Sequence, residues 1–315
     1  MGNFIARIQS GYIASNPFHN AVHGADVFAT VLWFMVTGGL VEAAGVSEDE
    51  FFATLIAGAI HDFEHPGVNN VFCTKSRHPL AVRYNDQSVL EMHHAAASFA
   101  IIHGDPACNF FQRMSDTQYS TIRSVIVATV LATDISHHFA ELGMLKSRAS
   151  SGKFLKSDPE HKADKALMLN VAVHACDISN PAKPRTIYFY WAKRAMREFF
   201  AQGDEEKKLG LPPSMFMDRA ATNIAKCQIG FIDIIVFPLF SQLHEILPPL
   251  SVAVRTLKSN KARWEKQVDM MQKEMEVGTQ RFPDEAAAGP QSAHSSQEVV
   301  PAAEPEAGSA EAEAS

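Results

Sequence analysis

The chain has 315 residues and carries 28 Lys and Arg against 35 Asp and Glu, a formal charge of −7. At 46% hydrophobic and 20% charged it is no collagen-like, coiled-coil or wholly disordered chain, and its charge balance excludes a strongly basic nucleic-acid binder. Seven of the acids and none of the bases fall in 283–315, so the other 28 acids and 28 bases leave the body neutral, and net charge says nothing about its ligand. The N-terminal residues lack the apolar run of a signal peptide. Apolar spacing then predicts helices over 27–35, 51–60, 122–131, 166–173, 188–200 and 224–240. Breakers separate them, among them Gly38-Gly39, Pro66-Gly67, Asp105-Pro106, Asn180-Pro181 and Pro212-Pro213. The uncharged stretch 27–41 is too short to cross a bilayer comfortably and contains the Gly pair, so no transmembrane segment is expected.

Alternating strand patterns are scarce and there is no internal repeat. The expected architecture is all-α: one compact multi-helix domain over 1–282, then a disordered acidic Ala/Glu/Pro/Ser tail over 283–315 that has too few large apolar groups to offset its ordering entropy. The segment 258–276 reads as a mixed-charge helix with Trp264, Val268 and Met271 on one side. It is either the last helix of the domain or a calmodulin-target helix. Cys73, Cys108, Cys176 and Cys227 are far apart and form no C-x-x-C, which favours a reducing, cytoplasmic setting.

Three His/acid clusters carry the chemistry. On helices, His19 and His23 would share a face, as would His61 and His65 with Asp62 one residue round, while His174 and Asp177 close an apolar helix. Each cluster follows or interrupts an apolar, buried-looking segment. Buried charges need partners, and a divalent cation satisfies several imidazoles and carboxylates at once. Glu91, His94, Thr133 and Asp134 are further polar groups at the ends of apolar helices. His61-x-x-Glu64-His65 also matches a zinc-peptidase pattern with Glu64 as base, but Pro66 ends the helix at once and the other clusters are left without a role.

Read in full, His61-Asp-Phe-Glu-His-Pro-Gly-Val-Asn-Asn-Val-Phe72 resembles the signature of the class I cyclic-nucleotide phosphodiesterases. His19-Asn-Ala-Val-His23 precedes it. Tyr84 to His94, Leu131-Ala-Thr-Asp134, His174 to Lys183, Glu198 to Asp204 and Gln228 to Asp233 follow in the family's order. The resemblance implies a metal set of His23, His61, Asp62 and Asp177, with two divalent ions, Zn²⁺ and Mg²⁺ (or Mn²⁺). His65, Glu91, His94 and Thr133 would act on the second ion through water. It implies His19 as the acid that protonates the leaving 3′ oxygen, Gln228 and Phe231 as the purine clamp, and Asn180 as a residue leaning towards cAMP with cGMP open behind it. Phe18, Met92 and Ala195 depart from the family's usual residues. Only 18 residues precede His19, so part of the N-terminal helices is expected to be incomplete, with a regulatory region upstream and absent here. The implied activity is hydrolysis of 3′,5′-cyclic nucleotides to 5′-monophosphates; a truncated, catalytically impaired nucleotide- and metal-binding module is the alternative.

Overall fold

In a computed structural model, residues 1–151, 154–155, 161–278 and 282 are described; they are helical or irregular, with no strand among them. The helices lie in one unit, Met1–Gln280, and Arg281–Ser315 is grouped apart. The expected tail, 283–315, lies outside the described residues.

The chain enters through α1 (Gly2–Gly11), and Asn20 caps α2 (Ala21–Val36) by accepting from the backbone N–H of Val22 and His23. Gly38-Gly39 stops α2, with Gly39 in the left-handed region, and the short α3 (Leu40–Ala44) follows. A capping box between Ser47 and Glu50 starts α4 (Glu48–Ile60). Next come the short α5 (Asn70–Lys75) and α6 (Pro79–Tyr84), then α7 (Val89–Gly104). A second capping box, Ser115 with Gln118, starts α8 (Asp116–Leu131). Then follow α9 (His138–Ser150), α10 (His161–Asp177) and the 24-residue α11 (Arg185–Lys208).

The last helices are α12 (Ile224–Gly230), α13 (Phe237–Ile246), α14 (Ser251–Glu265) and α15 (Val268–Glu276). A π-helical turn, Phe231–Val236, joins α12 to α13. Together Ile224–Ile246 form a helix long and apolar enough to cross a membrane by length and composition. Within the chain it is a core helix: Ile232, Val236, Leu239, Phe240 and Leu243 are buried.

α4 is central, packing on α8 and α2, and α10 packs on α8, α2 and α4. Its Ile56 and Ile60 join Phe4 and Ile8 of α1, Phe99 and Ile102 of α7, and Ile122 and Ile126 of α8 in one buried cluster. At roughly 1.5–3 kcal/mol per buried side chain, this cluster offsets the cost of sinking polar His61 directly after Ile60.

The segment 258–276 is two helices broken at Lys266 and Gln267, and Trp264 and Met271 are fully buried. Trp264 stacks on Phe189 with ring centroids 4.6 Å apart. That is a last-helix arrangement; the apolar side a calmodulin-target helix would need is already used.

Candidate metal centre and active site

Neither predicted His pair shares a helix. His19 lies before the α2 cap, and only His23 stands in the first turn. α4 ends at Ile60, and 61–65 is a succession of turns with Glu64 at φ 60. The pairs converge for another reason. Asn16 donates from its amide to the carbonyl oxygens of both His19 (2.9 Å) and His65 (2.7 Å), clamping two loops together. Gly67, at φ 77, fits beside Asn16, where an added Cβ would lie 2.8 Å from Oδ1. Its N–H donates to His65 Nδ1 at 3.0 Å.

The four residues assigned to one cation meet. His23 Nε2 lies 3.1 Å from Asp177 Oδ1 and 3.3 Å from Asp62 Oδ2; His61 Nε2 lies 3.0 Å from Asp62 Oδ2, 3.3 Å from Asp177 Oδ1 and 3.3 Å from His23 Nε2. Ligand atoms of all four are within 4.8 Å of one another. His61 Nδ1 donates to the Gly58 carbonyl at 3.0 Å, so neutral His61 turns a lone pair into this cluster. Asp62 Oδ2 is buried and accepts no hydrogen bond. Lone pairs converging in a buried space with too few protons to bridge them fit a cation, and the imidazole/carboxylate set fits zinc or a similar divalent ion. The charge balance agrees. Burial would lower the pKa of His61, but Asp62 and Asp177 drive it well above an ordinary histidine, so that with no metal a proton is drawn to the place a cation would take.

A second group adjoins the first. His94 Nδ1 donates to the Phe63 carbonyl at 2.6 Å, and its Nε2 faces Asp62 Oδ1 at 3.8 Å. Burial holds the His94 pKa down at about 4, so this nitrogen also offers a lone pair. Asp62, His65 and His94 form a further group able to hold a metal. His65 is kept neutral by burial and by neighbouring His19; because Nδ1 accepts from Gly67, it presents an Nε2–H, suited to holding water. Glu91 accepts from the Asn70 amide (2.9 Å), and burial with the nearby Asp134 raises its pKa to about 7. Thr133 is not joined to this group among the described residues; its hydroxyl donates to Val130 O at 2.7 Å. His174 turns away as well, to a buried contact with His138 (2.9 Å). Glu64, the base of the peptidase reading, points outward and pairs with His93 Nε2 at 2.8 Å.

His19 stands beside the cluster, its ring stacked on His65 at 3.8 Å and edge-on to His23 at 5.8 Å. Its Nδ1 is tightly paired with Glu198, a residue whose motif the sequence displays but whose role only the fold reveals. Glu198 Oε2 also accepts the backbone N–H of Phe18 (2.9 Å) and His19 (3.1 Å). Burial opposes charge on both partners. Even so, Glu198 and then Asp62 raise the His19 pKa to about 9, while His19 brings Glu198 down to about 2. His19 is therefore an imidazolium anchored at Nδ1 with Nε2–H left to donate. Phe18 keeps an aromatic edge on Trp191 (5.5 Å) without needing a hydroxyl.

Gln228 is buried on α12, and half-buried Phe231 opens the π-helical turn. A relay behind them was not visible in the sequence. Trp264 Nε1 donates to the Tyr188 hydroxyl, which donates to Gln228 Oε1, each at 2.8 Å. An indole N–H can only donate, so the Tyr188 oxygen accepts it and spends its own proton on Gln228. The amide is thereby oriented. Asn180 opens a 3₁₀ turn whose N-cap, Ser179, makes no side-chain capping bond; Asn260 braces that turn by donating to the Pro181 and Lys183 carbonyls at 2.9 Å.

Residues 18–257 match the family described as 3′5′-cyclic nucleotide phosphodiesterase. The chain is 39% identical over 245 residues to the dual specificity calcium/calmodulin-dependent 3′,5′-cyclic nucleotide phosphodiesterase 1B of Mus musculus, covering 78% of this chain and 44% of that protein. It is 35% identical over 269 residues to the 3′,5′-cyclic-AMP phosphodiesterase 4C of Rattus norvegicus, covering 84% and 50%. It thus spans about half the length of these relatives. Among solved structures, LmjPDEB1 in complex with IBMX superposes with a TM-score of 0.78 at 32% identity, covering 85% of this chain and 79% of that one. The phosphodiesterase domain of the RhoPDE fusion protein from Salpingoeca rosetta gives 0.78 at 32%, covering 86% and 84%. With the all-α fold, the clustered His/Asp set and the family match over most of its length, the chain belongs to the 3′5′-cyclic nucleotide phosphodiesterase family.

Proposed function

We propose that this chain hydrolyses the 3′ phosphoester of 3′,5′-cyclic nucleotides, cAMP ahead of cGMP, releasing nucleoside 5′-monophosphates and ending a cyclic-nucleotide signal. The observation that carries the reading is the His19 ring, fixed through Nδ1 by Glu198 beside the cluster of His23, His61, Asp62 and Asp177. Divalent cations held there, Zn²⁺ by these four and Mg²⁺ or Mn²⁺ beside Asp62 and His94, would supply charge for the phosphate oxygens and polarise a water for attack on phosphorus. The leaving 3′ oxygen needs a proton, and His19 holds one at Nε2 while Glu198 stabilises the charged ring. His65 would orient water through its Nε2–H, with Glu91 nearby.

At the base, Phe231 offers a face for stacking and Gln228 offers a donor and an acceptor in one fixed orientation. A fixed amide matches one purine edge better than the other, which favours discrimination over dual use. The lean to cAMP rests on Asn180, which opens the turn at Asn180–Ala182. Ala195 is half-buried on α11 and leaves a shallower wall than a branched residue would. Four free cysteines agree with a reducing, cytoplasmic setting.

The test is kcat/KM for cAMP and cGMP side by side, with Zn²⁺ and Mg²⁺ supplied, on the wild type, His19→Ala and Asp177→Ala. The expected result is turnover by the wild type with cAMP preferred, a loss of about 10²–10⁴ in His19→Ala, and no turnover with zinc lost in Asp177→Ala. No turnover by any of the three would leave a nucleotide- and metal-binding module instead. Full activity and full metal content in Asp177→Ala would remove it from the metal set.

A further inference from the structure

Helix α11 carries a polar stripe at four-residue spacing: Arg194, Glu198, Gln202 and Glu206. Residues four apart share a helix face, about 6 Å apart along the axis. The last three are buried, Gln202 to 3% exposure. Each of the four grips a loop. Arg194 donates to the Pro17 carbonyl at 2.9 Å, and Glu198 accepts the N–H groups of Phe18 and His19, so two of them hold the loop that bears the proposed acid. Glu206 accepts the N–H of Ser214 at 2.6 Å.

Gln202 grips a different loop, the turn that follows His65. Its Oε1 accepts the N–H of Asn69 at 2.9 Å, and its Nε2 donates to Asn69 Oδ1 at 3.1 Å, a two-point clasp on the residue that caps α5. Nε2 also donates to Glu206 Oε1 at 3.1 Å. Burial resists charge on Glu206, yet the Ser214 hydroxyl and N–H, with the Gln202 amide, hold its pKa below the usual value. It therefore offers acceptors only, which fixes the way the Gln202 amide faces. The turn is pinned at both ends: at Asn69 by Gln202, and at the His65 carbonyl by Asn16, which belongs to the acid's own loop. Three braces close a triangle: α11 to the 16–19 loop, α11 to the 65–69 turn, and loop to turn. The stacked rings of His19 and His65 stand on the two segments so joined.

We propose that Gln202 is a positioning residue for the acid step: by pinning the 65–69 turn to the helix that pins His19, it fixes the register of His19 against His65 and the His/Asp cluster. The inference rests on the acid role proposed for His19. Gln202 acts through two loops, and its hydrogen bonds reach neither Gln228 nor Phe231. It therefore governs how well the proton is delivered and leaves nucleotide binding alone.

The test is kcat and KM for cAMP, with zinc content and a thermal melt, on the wild type, Gln202→Met, His19→Ala and the two substitutions combined. Met keeps the length of Gln without its donor or acceptor. A misplacement of about 1 Å costs about 10²-fold in rate, so kcat of Gln202→Met should fall about ten- to a hundred-fold, with KM within about two-fold and zinc content unchanged. In the His19→Ala background the same substitution should cost less than about two-fold, because no acid is left to misplace. The double exchange Gln202→Glu with Glu206→Gln swaps donor and acceptor across the 3.1 Å bond, still accepts the Asn69 N–H, and should recover most of kcat. Equal falls with and without His19, a kcat that merely follows lost zinc or a lowered melt, or a double exchange no better than Gln202→Met would overturn the proposal and leave Gln202 a structural brace. Turnover that drops in His19→Ala but not in Gln202→Met overturns this inference alone. No turnover by the wild type removes the reading of the site, and this inference with it.

Discussion

Glu198→Gln isolates the electrostatic part of the proposed acid. The amide is the same size as the carboxylate and can still accept the N–H groups of Phe18 and His19 through one oxygen, so the loop keeps its anchor. What disappears is the negative charge, the largest of the influences that raise the His19 pKa to about 9. Without it the ring moves back towards its ordinary value of 6.5. A group whose pKa is raised keeps its proton below that value and loses it as pH climbs through it. At pH 8 a pKa near 9 leaves about ten protonated rings for each neutral one, whereas one near 6.5 leaves about one in thirty. In the metal-free chain the protonated fraction should therefore fall about thirty-fold at pH 8 and hardly at pH 6, and a rate limited by that form should fall more at high pH than at low. Bound cations cancel much of the field from Asp62 and Asp177, so both basic limbs lie lower in the loaded enzyme, but the displacement between them remains. Profiles of kcat/KM for cAMP from pH 5.5 to 9 measure it. A loss of equal size at every pH, with the basic limb unmoved, would refute the reasoning and reduce Glu198 to a loop anchor.

Tyr188→Phe and Trp264→Phe each break the relay behind Gln228. Either should cut cAMP-over-cGMP discrimination about five- to ten-fold, the worth of one net hydrogen bond, and an unchanged ratio of kcat/KM would show that the amide is oriented by something else. Chelating the metals should lower the melting temperature. An ion present at a thousand times its Kd contributes about 4 kcal/mol, and a melt that ignores chelator would contradict the cluster. Zinc affinity should weaken as pH drops from 8 to 6, by about tenfold per unit for each proton displaced, because the raised His61 pKa makes a proton the competitor; competition against a colorimetric chelator reads this directly. Deleting 283–315 should leave kcat unchanged, and a large fall in steady-state turnover would give the tail a role.

The helices were legible because their signals are local. Gly38-Gly39 ended α2, and apolar spacing marked α2, α4, α8, α10, α11 and the α12–α13 stretch, but α1, α7 and α9 and the capping boxes at Ser47 and Ser115 were not read from it. That His23, His61, Asp62 and Asp177 come together was legible through ordered motifs, but the shared helix faces expected for His19 with His23 and for His61 with His65 are not what the fold uses. His61 and His65 are brought together by a turn with Glu64 at φ 60 and by Asn16, and no periodicity reports a turn of that kind. Glu198 sat in view within its motif, yet its partner lies 179 positions away, and a buried acid on a long helix announces nothing about what it pairs with. The relay was hidden more deeply. Gln228 stood out through its motif, but Tyr188 and Trp264 look like ordinary core residues of their helices, and only the packing shows one donor feeding the next.

That relay also explains why a residue as distant as Trp264 can matter to specificity. The Tyr188 hydroxyl could in principle either donate to Gln228 or accept from it, and the two choices present opposite ends of the amide to a base. Trp264 removes the choice, since its N–H occupies the oxygen as acceptor and forces the proton onward. Burial keeps the decision permanent: the Tyr188 pKa is driven further up, so the hydroxyl never ionises into a pure acceptor at any physiological pH. The stacking of Trp264 on Phe189 then ties α14 to α11, and the end of the site proposed to read the purine would inherit its orientation from that helix contact. A substitution that loosens α14 without touching the His/Asp cluster should therefore blur base selection before it slows phosphoester cleavage, which on the proposed mechanism depends on the separate anchoring of His19 by Glu198.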